Sequence, residues 1–440
     1  MRRIPDWSAL DATARRRRRE TARPLATALD PALNAFAQID TSSCPLTPAG
    51  RLGGVPYAAK DLFQTSSRRP GGGFPEAIDL GIVGTSDLLE RLDAAGADLI
   101  GFTNMTELGY EPSGFNATRG RVKNPWSLDY ISGGSSSGSA AAVASGAVVA
   151  ALGSDTGGSV RIPAHACGIT AWKPTHGAVS ARGTMPLAPT LDTIGLLARG
   201  ASDMMPLAGV MAELPAPRPV LRAAVLADVA AECDPAIRRV LADAVAALAG
   251  TGVAIENRPA LAAVEAVDRH AMIVMQAESA REHRARIDDA AVAPVLRRRL
   301  AKGLEIADAV LAESVGARQR LVHDFEEQVL AGNDVAVLPV MAILTPSAAE
   351  CDPASEHFSP RTLYALSRFT RFVNMLGFPA IALPAGFDDR GLPIGVQIVG
   401  RSGCDLALLE LVRHVQSKTD WHGRIPTAIA HLVPEPELPS

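Results

Sequence analysis

Two clusters of glycine and serine dominate the sequence, Ser132-Gly133-Gly134-Ser135-Ser136-Ser137-Gly138-Ser139 and Gly153-Ser154-Asp155-Thr156-Gly157-Gly158-Ser159-Val160-Arg161, one helix length apart. Glycine lets a backbone approach a bound molecule closely and turn several N–H groups toward one point, which is what an oxyanion hole requires. The loops are therefore candidates for acyl-transfer chemistry. Around them, short apolar runs such as Asp98-Leu99-Ile100-Gly101 and Val148-Val149-Ala150-Ala151-Leu152 alternate with helix-compatible pieces such as Thr85 to Ala95. This is the pattern of a sheet with helices around it.

Composition agrees with an α/β enzyme. With 440 residues, 47% of them hydrophobic and 20% charged, the chain buries a core. Aromatic residues are only 4%, while 38 glycines and 32 prolines imply many turns rather than a plain helical bundle. A net charge of -4 argues against nucleic acid as the main partner. Five scattered cysteines, Cys44, Cys167, Cys233, Cys351 and Cys404, form no C-x-x-C pair and have no histidine at metal spacing, so neither a disulfide framework nor a metal site is expected. Two arginines open the chain, yet no apolar segment follows them, which makes the cytoplasm the expected location. The charge-free stretch from Ile131 to Ser154 has the length of a membrane span but is interrupted by Gly133, Gly134, Gly138 and Gly146, and it reads as a buried segment of a protein without membrane partners.

No repeat or low-complexity linker divides the chain, so a single domain over residues 1–440 is expected, its core at about 50–210 and 333–430. Residues 215–332 are alanine-rich and charged and read as a mostly helical insertion. Asp234-Pro235 is its clearest helix start and Gly250 the stop, with Ile237, Val240, Leu241, Ala244, Val245 and Leu248 as the apolar positions. Val335 to Leu338, Ala380 to Leu383 and Ile394 to Val399 return to strand character. The arginine run Arg15 to Arg19 reads as a solvated helix face.

Several chemistries are compatible with the glycine/serine loops. Gly133 and Gly138 have the spacing of a Walker A loop, but Ser139 stands where its lysine belongs. Gly134-Ser135-Ser136-Ser137-Gly138 fits a nucleophile elbow centred on Ser136, although the segment before it is a short candidate strand. His165 and His176 are rival bases without an evident orienting group, and Cys167 is a rival nucleophile flanked only by Ala166 and Gly168.

The third chemistry uses a lysine base. Gly54-Val55-Pro56-Tyr57-Ala58-Ala59-Lys60-Asp61, the two glycine/serine clusters, Arg161-Ile162-Pro163-Ala164, Lys173-Pro174-Thr175, Asn374-Met375-Leu376-Gly377-Phe378-Pro379-Ala380 and Gly391-Leu392-Pro393-Ile394-Gly395-Val396-Gln397 together resemble the amidase signature hydrolases. They occur in that family's order over about residues 50–400, with Lys60 75 residues before Ser135 and Ser135 24 before Ser159. The resemblance implies an α/β fold whose central mixed β-sheet is covered by helices on both faces, with the helix-rich stretch at the substrate entrance. It makes Ser159 the nucleophile, Ser135 the bridging serine on a cis peptide and Lys60 the general base. It assigns the oxyanion hole to the N–H groups of Thr156, Gly157, Gly158 and Ser159, with Asp155, Arg161 and Ser136 in support. No cofactor is implied. For Lys60 to accept a proton near neutral pH, burial must lower its pKa by roughly three units. Ser137 departs from the family pattern where a second glycine is usual, as does His176-Gly177-Ala178, and neither removes a catalytic group.

The implied function is hydrolysis of a C–N bond next to a carbonyl, in a small neutral amide, anilide or carbamate, as in an aryl acylamidase or urethanase. The apolar residues Met272, Ile273, Val274, Met275, Leu304, Ile306, Val310 and Leu311 are candidates for the entrance wall. The alternatives are the glutamine-hydrolysing subunit of a tRNA-dependent amidotransferase and a scaffold with a relic site. Nothing in the sequence bears on oligomeric state.

Overall fold

The computed structural model describes residues 7–40, 50–429 and 431–432, and Cys44 and the two opening arginines lie outside them. Thirteen strands are present among these: β1 Phe36–Ile39, β2 Pro56–Lys60, β3 Asp98–Thr103, β4 Lys123–Asn124, β5 Ser127–Ile131, β6 Ala150–Asp155, β7 Thr170–Lys173, β8 Thr193–Ala198, β9 Arg222–Leu226, β10 Ala254–Arg258, β11 Val335–Pro339, β12 Ala380–Phe387 and β13 Pro393–Gly400. All but the β4–β5 pair join one mixed sheet of eleven strands in the order β1-β3-β2-β6-β8-β7-β12-β13-β11-β9-β10. β2 lies parallel to both β3 and β6. The centre of the sheet, from β6 through β13, is antiparallel.

Alternation along the strands divides the core between the two faces of the sheet. Ala58, Ala151, Ala171, Leu197 and Ala382 face one cluster, which the helices Ala12–Leu33, Ser137–Ala144 and Arg161–Cys167 complete. Their neighbours Tyr57, Leu152, Trp172, Leu196 and Ile381 face the other, which includes apolar residues of the helices Ala201–Met211, Pro235–Ala249 and Asp405–Ser417. The first face is lined mainly by alanine, and this is why the glycine/serine cluster can lie deep inside the protein. A Cβ added to Gly138 would stand 2.2 Å from Ala35 O and 2.5 Å from Asn104 O, so the helix Ser137–Ala144 is seated where only glycine fits. All eight residues of that helix are buried.

Residues 215–332 carry the expected helices, including Pro235–Ala249 with the Asp234 carboxylate accepting the Ala236 N–H. They also carry β9 and β10, which the sequence reading missed, and these extend the sheet parallel to β11. Arg-Ala-Ala-Val-Leu and Ala-Ile-Glu-Asn-Arg have little strand propensity, and they become strands because β11 offers an open edge to pair with. The stretch is thus continuous with the sheet. The arginine run lies within the helix Ala12–Leu33 and winds around it, so it is not a single solvated face: Arg19, with Arg23 further on, binds the buried carboxylate of Asp98 at 2.9 and 2.7 Å. No helix among the described residues is long and apolar enough to cross a membrane.

Candidate active site

Lys60 is the last residue of β2, fully buried, and its ammonium donates to Ser135 Oγ at 2.7 Å and to Ser154 Oγ at 2.8 Å. The neighbouring strand β6 carries Ser154, and the loop into the helix Ser137–Ala144 carries Ser135 on a cis Gly134–Ser135 peptide. Burial lowers the Lys60 pKa to about 7, against the opposing pull of Asp155 and Asp192. The group can therefore lose and regain a proton near neutral pH.

Ser159 stands half-buried in the loop after β6. Ser136 ties the two glycine/serine loops together: its N–H donates to Ser159 O at 3.1 Å, and its hydroxyl donates to Ser154 O at 3.2 Å while accepting the Ser154 N–H. Below the loop, Asp155 and Arg161 form an ion pair at 2.9 Å with neither side chain exposed. Arg161 also donates to Gln397 Oε1, Thr370 O and Asn374 Oδ1, and Asn374 returns its amide to Asp155. Burial raises the Asp155 pKa, but Arg161 outweighs it and holds the carboxyl at about 2. Asp155 is thus a permanent anion that shapes the loop.

Gly158 departs from the expected oxyanion set. Its N–H donates to Asp155 Oδ1 at 2.9 Å, and unlike Thr156, Gly157 and Ser159 it does not line the cleft. The residue instead makes the turn possible, at φ 123°, where an added Cβ would come within 2.2 Å of Thr370 Oγ1. Ser154, Thr370 and Gln397 are the supporting residues that sequence reasoning did not single out. Gln397 and Asn374 were visible as members of the family-like motifs and Ser154 as a member of the second glycine/serine cluster, whereas nothing in sequence marks Thr370.

The rival groups are occupied elsewhere. His165 Nδ1 accepts the Gly395 N–H at 3.0 Å, and burial lowers its pKa to about 4, so it is a neutral core histidine. His176 Nε2 lies 3.3 Å from Pro189 O. Cys167 is buried with its thiol 3.3 Å from Ser132 O, and desolvation raises its pKa. Among the described residues no group of histidine, cysteine and carboxylate side chains is placed to hold a metal.

Above Ser159 opens a cleft. Thr156, Gly157 and Ser159 line it, as do Met272, Met275 and Gln276 of the helix Leu261–Glu282, and Leu187, Leu363 and Tyr364 add apolar surface. Of the wall residues expected from sequence, only Met272 and Met275 reach it. Val274, on another side of the same helix, is fully buried in the core, and Leu304 and Val310 are exposed. A second cavity reaches Ser154 and is bordered by His176 and Asp192.

This geometry has relatives. The sequence profile of the Amidase family matches residues 14–409. The chain belongs to the amidase family. It is 31% identical over 461 residues to a glutamyl-tRNA(Gln) amidotransferase subunit from Thiobacillus denitrificans, covering 92% of this chain and 93% of that protein. A 6-aminohexanoate cyclic dimer hydrolase superposes with a TM-score of 0.83 at 25% identity, covering 97% of this chain and 99% of its own. A crystal structure of another amidase gives a TM-score of 0.78 at 27% identity over 93% of this chain and all of that one. This amidase is accordingly a hydrolase of C–N bonds next to a carbonyl.

Proposed function

We propose that the amidase hydrolyses small amides, anilides and carbamates through an acyl-enzyme on Ser159. The observation that carries this reading is the 2.7 Å hydrogen bond from the fully buried Lys60 to Ser135. Neutral Lys60 takes the Ser135 proton while Ser135 takes that of Ser159, whose oxygen attacks the carbonyl. The N–H groups of Thr156, Gly157 and Ser159 hold the oxyanion. The proton then passes from Lys60 through Ser135 to the departing nitrogen, the C–N bond breaks, and water hydrolyses the ester by the same relay. Asp155, Arg161 and Ser136 keep the loop in shape without touching substrate.

The test is turnover by the purified lone chain on a panel of amides, anilides, carbamates, esters and glutamine, together with mass spectrometry after a serine-directed phosphonate. An adduct on Ser159 and loss of turnover in Ser159→Ala are expected. An adduct on Ser136 overturns the assignment.

A second reading, glutamine hydrolysis within an amidotransferase, is favoured by the names of the curated relatives near 31% identity. Against it stands the cleft itself, because among the described residues no Asp or Glu lines it to receive the ammonium of free glutamine. A specificity constant for glutamine above that of every other substrate in the panel restores this reading, as does a requirement for copurifying subunits.

A further inference from the structure

Among the described residues the cleft walls carry three cations, Arg299, Lys302 and Arg371, and no carboxylate, in a protein whose net charge is -4. Arg371 is already neutralised: Nε and Nη2 bind the two oxygens of Asp268 at 2.9 and 2.8 Å. Arg299 and Lys302 are different. They lie three residues apart on one face of the helix Pro294–Gly303, and neither takes part in an ion pair among the described residues. Arg299 also borders a small cavity lined by two carboxylates, neither of them in an ion pair with it: Glu107, whose Oε2 accepts the Ala293 N–H at 2.9 Å, and Glu111, whose Oε2 accepts the Ser113 N–H and hydroxyl at 2.9 and 2.8 Å. Burial raises the Glu111 pKa to about 7, against the pull of Ser113 and Arg299, so this carboxyl offsets the arginine only in part. Lys302 is exposed at the rim.

We infer that Arg299 and Lys302 form an anion subsite, and that the preferred substrates of this amidase carry a carboxylate, but no ammonium, joined to the scissile amide by an apolar spacer. This deepens the hydrolase reading above and rests on it, and it replaces the neutral substrate expected from sequence. An apolar spacer fits the Met272 and Met275 wall, while the two cations favour a carboxylate and penalise an ammonium.

The experiment compares four p-nitroanilides: that of glutaric acid, its neutral methyl-ketone isostere, the corresponding ω-amine, and γ-glutamyl p-nitroanilide. The glutaric anilide is expected to exceed the ketone by about tenfold in kcat/KM, through KM, with the amine lowest and the γ-glutamyl compound between. In Lys302→Gln, and separately in Arg299→Gln, that ratio is expected to contract to about twofold, while Lys302→Arg retains it and added salt reduces it. The two glutamine variants check each other if one fails to fold. A ketone hydrolysed as well as the acid overturns the subsite and leaves the hydrolase reading intact. If no anilide turns over, the hydrolase reading fails instead, and calorimetry of the same compounds on Ser159→Ala decides the subsite: tighter binding of the acid supports it, and equal affinities overturn it.

Discussion

The floor and the wall of the cleft are built on opposite principles. On the floor, Lys60, Ser135, Ser136, Asp155, Arg161 and Asn374 are each at most 1% exposed, and their polar groups are hydrogen-bonded, Lys60 to Ser135, Ser136 to Ser154, and Asp155, Arg161 and Asn374 to one another. On the wall, Tyr364 is 55% exposed, and the lining side chains are flexible methionines, Gln276, and cations on two helices. A buried polar network tolerates no vacancy, because each orphaned group costs its desolvation penalty, whereas an open wall of flexible side chains can be exchanged piecemeal. Chemistry therefore resides where substitution is punished, and substrate choice where it is cheap.

The largest expected effect tests the floor. Ser159→Ala should reduce turnover by at least about a thousandfold, and Lys60→Ala and Ser135→Ala by orders of magnitude each. Combining two should add little, because the three groups act as one relay. Near wild-type rates in Lys60→Ala at neutral pH would break the assignment of the base.

Next comes stability. Asp155→Asn leaves the buried Arg161 charge without its counter-ion and should cost about 3–5 kcal/mol in urea unfolding. The Arg281–Asp308 pair, 2.6 Å long but with Asp308 97% exposed, belongs to the wall region, and Asp308→Asn should cost less than about 1 kcal/mol. Equal costs would erase the contrast between the regions.

The pH dependence sharpens it further. With the Lys60 pKa at about 7, activity should fall roughly tenfold per unit below that point and level off above it, whatever the substrate, and His165→Gln should not move the inflection. Burying this lysine also carries a sign in stability. The unfolded chain keeps the Lys60 proton up to about 10.5 and the folded one only to about 7, so the cost of burial is fully present below pH 7 and fades between the two values. Lys60→Met should thus be inactive yet more stable than the native chain at pH 6, with an advantage that shrinks toward pH 10. Thermal unfolding at several pH values measures it.

The smallest effect belongs to the wall. Met275→Ala should raise KM for substrates with a bulky apolar group by about three- to tenfold and leave the position of the pH inflection unchanged. A shifted inflection would mean that the wall is coupled to the relay.

How much of this was legible in the sequence follows the same division. Lys60, Ser135 and Ser159 were readable because the floor demands particular residues at particular spacings, and glycine where a Cβ collides with backbone, as at Gly138. The wall has no such grammar. Met272 and Met275 reach the cleft while the adjacent Val274 packs into the core, a difference of helix phase. Alanine-rich β9 and the polar edge strand β10 were hidden because the open side of β11, not local propensity, makes them strands.

By itself the sequence determined the sheet-and-helix class, the glycine/serine loops and which residues are proposed to react, all properties of residue type and order along the chain. Tertiary structure alone decided the lowered pKa of Lys60, the diversion of the Gly158 N–H to Asp155 and the convergence of Arg299 and Lys302 on the cleft of Ser159. These depend on which groups distant in sequence come within hydrogen-bonding or Coulombic reach once water is excluded, and no local pattern encodes that distance.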